Sequence, residues 1–174
     1  MKDALTIHRT LLEREIAHEI VRLPRPIAHA DDLPGALGLP PERCPVTRMY
    51  HCLDALRGER FLAALITPAG SRTVLEPVRR ALGARLIRPA RPDLINSVTD
   101  YHADLVCPLL LPDAVPVLID RAGLGGVAPD EVVYTPTGEP LTALAVRMAD
   151  LRELSGAKPI GSAWEEELPA ARPA

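Results

Sequence analysis

The sequence predicts an α+β fold, with a mixed and barrel-like central β-sheet flanked by helices. Apolar segments of strand length and helix-like segments follow one another irregularly along the 174 residues, without the regular strand-helix repeat of a doubly wound sheet. A composition of 47% hydrophobic and 25% charged residues is ordinary for a folded domain of this length. We therefore expect a single domain over residues 1–160 and a flexible tail over residues 161–174, which are rich in Pro, Ala and Glu.

Helix signals occur at five places along the chain. Residues 4–18 repeat apolar side chains at helical spacing. Asp31 or Asp32 can cap a short second helix, and Gly38 is its natural end. Further helices are expected over residues 71–83, 92–98 and 150–155.

Strand signals lie between the helices. Residues 44–52 and 60–67 are two apolar segments joined by a polar turn, which predicts an antiparallel pair. Residues 115–119 form a short apolar run that is typical of a buried strand. The other strands are expected near residues 19–23, 86–87, 131–135 and 144–148.

Cysteine usage and hydropathy indicate the compartment. Cys44, Cys52 and Cys107 lack the Cys-x-x-Cys spacing of a zinc or redox site, and a reducing cytoplasm is the simplest location for unpaired thiols. The N-terminus has no apolar signal core, and no segment approaches the roughly 18 apolar residues that a membrane helix needs. We therefore expect a cytoplasmic protein that uses no metal or cofactor and has no membrane partner.

A polar loop precedes the buried strand at residues 115–119. It reads Thr-Asp-Tyr-His-Ala-Asp-Leu-Val-Cys-Pro over residues 99–108, and Pro108 and Pro112 restrict its backbone. Loops held in this way on a rigid scaffold often present functional groups. A plain connection between two core elements is the alternative interpretation.

A series of short patterns occurs in a fixed order over residues 15–160. The patterns are Gly38-Leu39-Pro40-Pro41-Glu42-Arg43, Thr47 on a strand, Thr67-Pro68, Ala81-Leu82-Gly83-Ala84, Thr99-x-Tyr101, Cys107-Pro108 and Val117-Leu118-Ile119-Asp120. Their order and spacing resemble the YbaK/EbsC (ProX-like) aminoacyl-tRNA deacylase family, which is related to the editing domain of bacterial prolyl-tRNA synthetase.

The resemblance implies a metal-free hydrolase that deacylates a mischarged aminoacyl-tRNA, with Ala or Cys on tRNA for proline as the expected substrate. The implied partner is the acceptor end of the tRNA, while a homodimer and an association with a tRNA synthetase both stay open. The alternative is a tRNA- or aminoacyl-binding module, or a tRNA-dependent aminoacyl transferase, because the family lysine is replaced here.

The departures from the family pattern fall in two segments. In the family, a lysine in a Lys-Thr-Leu-like strand contacts the substrate, and a Gly-Gly-x-Ser-Pro-like loop shapes the pocket. Alignment places Val46 at the lysine, whereas Arg48 takes that place if the strand slips by two residues, about 7 Å. In the loop, Asp104 and Leu105 replace the glycines and Cys107 replaces the serine.

Nine residues follow from the resemblance as site candidates. The catalytic candidates are Thr47, Asp104 and Cys107. The substrate-binding candidates are Val46, Arg48, His51, His102, Val106 and Pro108. Cys107 is expected to act as a nucleophile only beside His51 or His102, and a buried, inert cysteine is the alternative. His29 is interpreted as a surface residue.

Arginines without intervening acidic residues gather between positions 79 and 91. Four of them, Arg79, Arg80, Arg85 and Arg88, are predicted to contact phosphates of the tRNA acceptor stem. A solvated helix face is the alternative, and a net charge of -3 does not by itself indicate nucleic-acid binding.

Overall fold

Two β-sheets form the framework of the protein, and the computed structural model describes residues 1–161. The strands are β1 (His18–Arg22), β2 (Pro45–Asp54), β3 (Arg60–Pro68), β4 (Ala84–Pro89), β5 (Val117–Asp120), β6 (Val132–Pro136), β7 (Thr142–Arg147) and β8 (Lys158–Ile160). The helices are α1 (Ala4–Glu13), α2 (Leu33–Leu37), α3 (Leu75–Ala81), α4 (Pro92–Thr99), α5 (Arg121–Leu124) and α6 (Met148–Ser155). Three single turns of 3₁₀-helix span Ala30–Asp32, Pro41–Arg43 and Ala103–Leu105.

The sheets differ in strand direction. The smaller has the order β1-β7-β6 and is antiparallel, whereas the larger has the order β4-β2-β3-β5-β8 and is mixed, because β5 runs parallel to β3 and β8 parallel to β5. The α+β class with flanking helices is therefore confirmed, with the strands divided between two sheets. The short β8 occupies a segment in which the sequence predicted no strand.

The antiparallel pair of β2 and β3 lies in the larger sheet, and its register runs from Pro45 opposite Pro68 to Leu53 opposite Arg60. Side chains alternate between the two faces of a strand. Thr47, Met49 and His51 therefore share one face of β2, while Val46 and Arg48 share the other.

The main core joins the two sheets. Met49, Leu62 and Ile66 of the larger sheet belong to one buried cluster with Leu144 and Val146 of the smaller sheet. Helices α1, α4 and α6 close this cluster from outside, since each contributes buried apolar residues to it. The first face of β2 is thus directed into the main core.

The N-terminus holds the loop of residues 99–110 in place. The Lys2 ammonium group donates hydrogen bonds to the carbonyl oxygens of Thr99, at 2.9 Å, and Leu110, at 2.6 Å. Its Nζ lies 5.1 Å from the centroid of the Tyr101 ring, and the buried Tyr101 hydroxyl donates to the carbonyl oxygen of Leu109 at 2.9 Å. The loop backbone is therefore fixed from its inner side.

No helix within residues 1–161 is long and apolar enough to cross a membrane. The tail predicted over residues 161–174 lies outside the described residues, apart from its first position.

Candidate functional site

The loop of residues 104–108 meets strand β2 at Val46. Val46 is 0% exposed and Leu105 is 3% exposed, and both belong to a buried apolar cluster on the second face of β2. We call this cluster the plug; its members are Leu23, Ile27, Ala30, Leu33, Cys44, Val46, Ala69, Leu105 and Ala143. The position that the family resemblance assigns to a lysine is therefore filled by apolar side chains.

Cys107 lies in the interior, next to the buried Val106 and Pro108. Burial raises the pKa of its thiol to about 12, and contacts with Leu109 and Tyr101 offset only part of this increase. A thiol with such a pKa is protonated at neutral pH and is a poor nucleophile.

The structure does not form the cysteine-histidine pair that the sequence left open. His51 lies beside Arg88 on the neighbouring strand, and His102 accepts a long, 3.4 Å hydrogen bond from the Asp104 N–H. Within the described residues, neither imidazole has a hydrogen bond to Cys107.

Thr47 points away from the plug, because it lies on the opposite face of β2 from Val46. It is 9% exposed and stands opposite Ile66 in the register. Its hydroxyl has no hydrogen-bond partner among residues 1–161. Thr47 therefore faces the main core, to which Val106 and Cys107 of the loop also belong, and not the plug.

Polar side chains surround the plug on the outside. His29, Asp31, Arg48 and Asp104 each lie one or two positions from a plug residue along the chain, and we call them the rim cluster. His29 Nδ1 is 3.4 Å from Asp104 Oδ1, and these side chains are 65% and 46% exposed.

Arg48 and Asp31 form the second pair of the rim cluster, and their paired atoms lie closer together than those of His29 and Asp104. Arg48 donates two hydrogen bonds to Asp31, of 2.7 and 2.8 Å, and the Gly70 N–H donates to the same carboxylate at 2.8 Å. Burial opposes ionisation of Asp31, but the hydrogen bonds from Arg48 and Gly70 and the charges of Arg48 and His29 outweigh it and lower its pKa. The rim cluster therefore holds an ionised carboxylate and a guanidinium, with an accessible imidazole beside a second carboxylate.

The four arginines predicted to contact tRNA lie on two different elements. Arg79 and Arg80 of α3 both bind Glu76, at 2.7 and 3.0 Å, and hydrogen bonds from them lower the pKa of Glu76 to about 2. Arg85 and Arg88 lie on β4 and are exposed. The carboxylate of Glu76 thus reduces the positive charge that α3 offers to a phosphate.

Residues 24–154 match the family model of the aminoacyl-tRNA editing domain. The chain belongs to this family. The match confirms the resemblance drawn from the short patterns, and it covers the loop of residues 104–108 and every plug residue except Leu23. No curated protein matches the sequence.

Solved structures share the fold of this editing domain at low sequence identity. A hypothetical protein has a TM-score of 0.70 and 20% identity over 88% of this chain and 95% of that chain. A protein provisionally described as a trans-editing enzyme for prolyl tRNA synthetase has the same TM-score and the same identity, over 88% of this chain and 91% of that chain. A protein of Marinobacter aquaeolei VT8, provisionally described as acting in signal transduction, has a TM-score of 0.56 and 18% identity over 89% of this chain and 29% of that chain.

Two members of the rim cluster, His29 and Asp31, are absent from the site candidates that the sequence suggests. His29 precedes the Asp31-Asp32 pair, and Asp32 accepts a hydrogen bond from the His29 N–H, so the local pattern indicates only a helix start. The approach of His29 to Asp104 joins two distant segments of the editing domain, and no local signal announces such a contact.

Proposed function

We propose that this editing domain hydrolyses the ester of an aminoacyl-tRNA, with Ala- or Cys-charged tRNA for proline as the first substrates to test. Family membership supports the reaction class. The single observation that supports the site is the approach of His29 Nδ1 to within 3.4 Å of Asp104 Oδ1, at the edge of the plug that fills the family's lysine position.

In this proposal His29 acts as a general base. The contact with Asp104 favours the imidazole tautomer with its proton on Nδ1, which leaves the Nε2 lone pair available. Nε2 takes a proton from a water molecule as that water attacks the ester carbonyl carbon. The bond between this carbon and the ribose oxygen then breaks, and His29 returns the proton to the ribose oxygen. Asp104 stabilises the imidazolium formed between these steps.

The other site candidates receive structural roles in the proposal. Val46 shapes the wall behind the ester together with Leu105, because both are buried in the plug, whereas Val106 and Cys107 are buried in the main core. Arg48 supplies a fixed positive charge at the rim, although Asp31 occupies both arms of its guanidinium. Catalytic roles for Thr47 and Cys107 stay predictions that variants can test.

The decisive experiment measures hydrolysis of labelled Ala-, Cys-, Ser- and Pro-charged tRNA for proline by the wild type and three variants. His29→Gln is expected to lower the rate by about 100-fold or more, as for loss of a general base. Asp104→Asn is expected to lower the rate less, because the base itself is retained. Asp113→Asn is the matched control, because Asp113 is an exposed carboxylate in the same connecting segment that belongs to no ion pair of the described residues.

Equal rates for His29→Gln and the wild type would contradict the assignment of the base. Loss of activity in a normally folded Cys107→Ser variant would indicate that the Cys107 thiol is the nucleophile, and it would contradict attack by water. No turnover of any charged tRNA would contradict the deacylase itself.

A binding module without hydrolysis is the second candidate function. The burial of Val46 and Leu105 favours it, because the lysine position then offers neither charge nor open volume. Measurable binding of charged tRNA without hydrolysis would support this candidate, and transfer of the aminoacyl group to an added amine would indicate a transferase.

A further inference from the structure

A second site lies at the other end of β2. A cavity of about 600 Å³ opens between the β4-β2-β3 part of the larger sheet and helix α4. We call it the arginine groove, and the lining residues that matter are His51, Arg60, Leu62, Arg88, Leu94 and Val115. His51 is five residues from Val46 along β2, which is roughly 17 Å, so the groove shares no residue with the rim cluster.

The strand register brings the polar side chains of the groove to one face. His51 stands opposite Arg88 of β4 and opposite Leu62 of β3, and Leu53 stands opposite Arg60. Residues that oppose each other share a face, as do residues two apart on a strand. Arg60, Arg88 and His51 therefore project together into the groove.

The two guanidinium groups bring positive charge to the groove, and the carboxylate that lines it with them, Asp93, is bound to Arg91 instead. Arg88 Nη2 lies 3.3 Å from His51 Nδ1. Burial is the largest cause that lowers the pKa of His51, and the charges of Arg88 and Arg60 lower it further. Within the described residues neither arginine is in an ion pair with a carboxylate, whereas Arg91 at the groove's edge is bound to Asp93 at 2.6 Å.

The remaining wall is apolar. Leu62 and Val115 are buried, and Leu94 of α4 lies across from them on the main core. A cavity of this volume fits a small ligand that is apolar on one side and anionic on the other. Arginine forks match phosphate oxygens in pairs, and a base can lie against an apolar wall or a guanidinium plane.

We propose that the arginine groove binds a nucleotide, with the phosphate held by Arg60 and Arg88 and the base against Leu62, Leu94 and Val115. The neutral His51 donates a hydrogen bond from Nε2, because its Nδ1 accepts from Arg88. The ligand is either a free nucleotide or one nucleotide of an RNA chain, since both present the same phosphate and base.

The test measures binding to the full-length protein by isothermal titration calorimetry at fixed salt. The probes are AMP, CMP, adenosine, inorganic phosphate and a single-stranded RNA of twelve nucleotides. AMP or CMP is expected to bind at least tenfold more tightly than adenosine and than inorganic phosphate. Only the nucleotide can contact the two arginines and the apolar wall at the same time. Saturation is expected to raise the pKa of His51 in an NMR titration of its ring, since the phosphate offsets the arginine charges.

Variants separate this site from a general affinity for anions. Arg60→Gln and Arg88→Gln are each expected to weaken nucleotide binding at least tenfold. Arg22→Gln is the matched control, because it removes the same charge from an exposed position on β1 of the other sheet. Binding by both AMP and RNA supports a free nucleotide as ligand, whereas binding by RNA alone supports an RNA nucleotide.

Two results would overturn the proposal. One is equal weakening by Arg22→Gln and Arg88→Gln, and the other is the absence of saturable binding of every probe at millimolar concentration. Neither result bears on hydrolysis at the rim cluster, so the two proposals fail separately.

Discussion

The two ends of strand β2 have opposite character. At the Val46 end, apolar side chains from several segments bury one another and close the position that the family resemblance assigns to a lysine. At the His51 end, two arginines without carboxylate partners among residues 1–161 face an open groove. One strand therefore supports a closed apolar site and an open basic site.

Polar side chains near the plug are confined to its edge. His29 and Asp104 remain accessible only because they lie just outside the buried cluster. At the other end, the charged groups line the cavity itself. Substitutions at the first end are therefore expected to change the stability of the protein, and those at the second end its binding.

The largest effect is expected from Val46→Lys. The substitution introduces the residue type that the family resemblance predicts at this position, but it places an ammonium group in the apolar plug. We expect a loss of roughly 3 kcal/mol or more in the free energy of unfolding, since burying an unpaired charge is costly. Urea unfolding measures this loss.

Two variants serve as references for Val46→Lys. Val46→Ala is expected to lose about 2 kcal/mol through lost apolar burial and the cavity left behind, and Arg88→Gln at the groove end is expected to change stability by about 0.5 kcal/mol or less. If Val46→Lys costs no more than Val46→Ala, the plug opens to accept the lysine and the contrast between the two ends is wrong.

A smaller effect is expected from Lys2→Met. The variant keeps the apolar stem but removes a charged donor to Thr99 and Leu110, so both carbonyl groups lose a partner. We expect a loss of about 1–3 kcal/mol, as for hydrogen bonds from a charged group. Thermal unfolding measures it, with Lys158→Met on β8 as an exposed control that should stay near wild type. Equal effects would show that the N-terminus does not hold the loop.

An increase in stability is expected from Thr47→Val. The buried Thr47 hydroxyl has no partner in the described part of the chain, so an isosteric methyl group is expected to add about 1 kcal/mol. Thr137→Val is the matched control. The Thr137 hydroxyl lies 2.6 Å from the Thr142 hydroxyl, so this variant is expected to be less stable than the wild type. A destabilised Thr47→Val would indicate a polar contact that forms at this position in solution.

The smallest effect is expected from Asp31→Asn, and it should depend on pH. The pKa of Asp31 is lower in the folded protein than its ordinary value of 3.8. Its contribution is therefore present above that ordinary value and is lost as pH falls through the folded value. The wild type should exceed the variant by less than about 1 kcal/mol at neutral pH, because the pair is partly exposed. Urea unfolding should show this difference disappearing as pH falls below about 4, and a difference that persists in acid would contradict the role of the charge.

Several elements could be predicted because their signals are local. The antiparallel pair of β2 and β3 follows from two apolar segments around a polar turn, and Gly38 ends α2 with a φ of 66°, in the left-handed region that glycine enters without strain. The family could be identified because its short patterns keep their order along the chain. The strand β8 could not be predicted, since its three residues pair with β5 through long-range contact rather than through a pattern of their own.

The fold class and the editing-domain family follow from the order of the apolar segments and short patterns along the chain, and the same patterns predict Val46 at the family's lysine. Three arrangements depend on the folded chain: Val46 lies in a buried cluster with Leu105, His29 approaches Asp104, and Arg60 and Arg88 share a groove with His51. The physical reason is the range of the interactions. Periodicity and turn chemistry act between residues close along the chain, whereas these three arrangements depend on strand register and sheet order, which bring distant segments together.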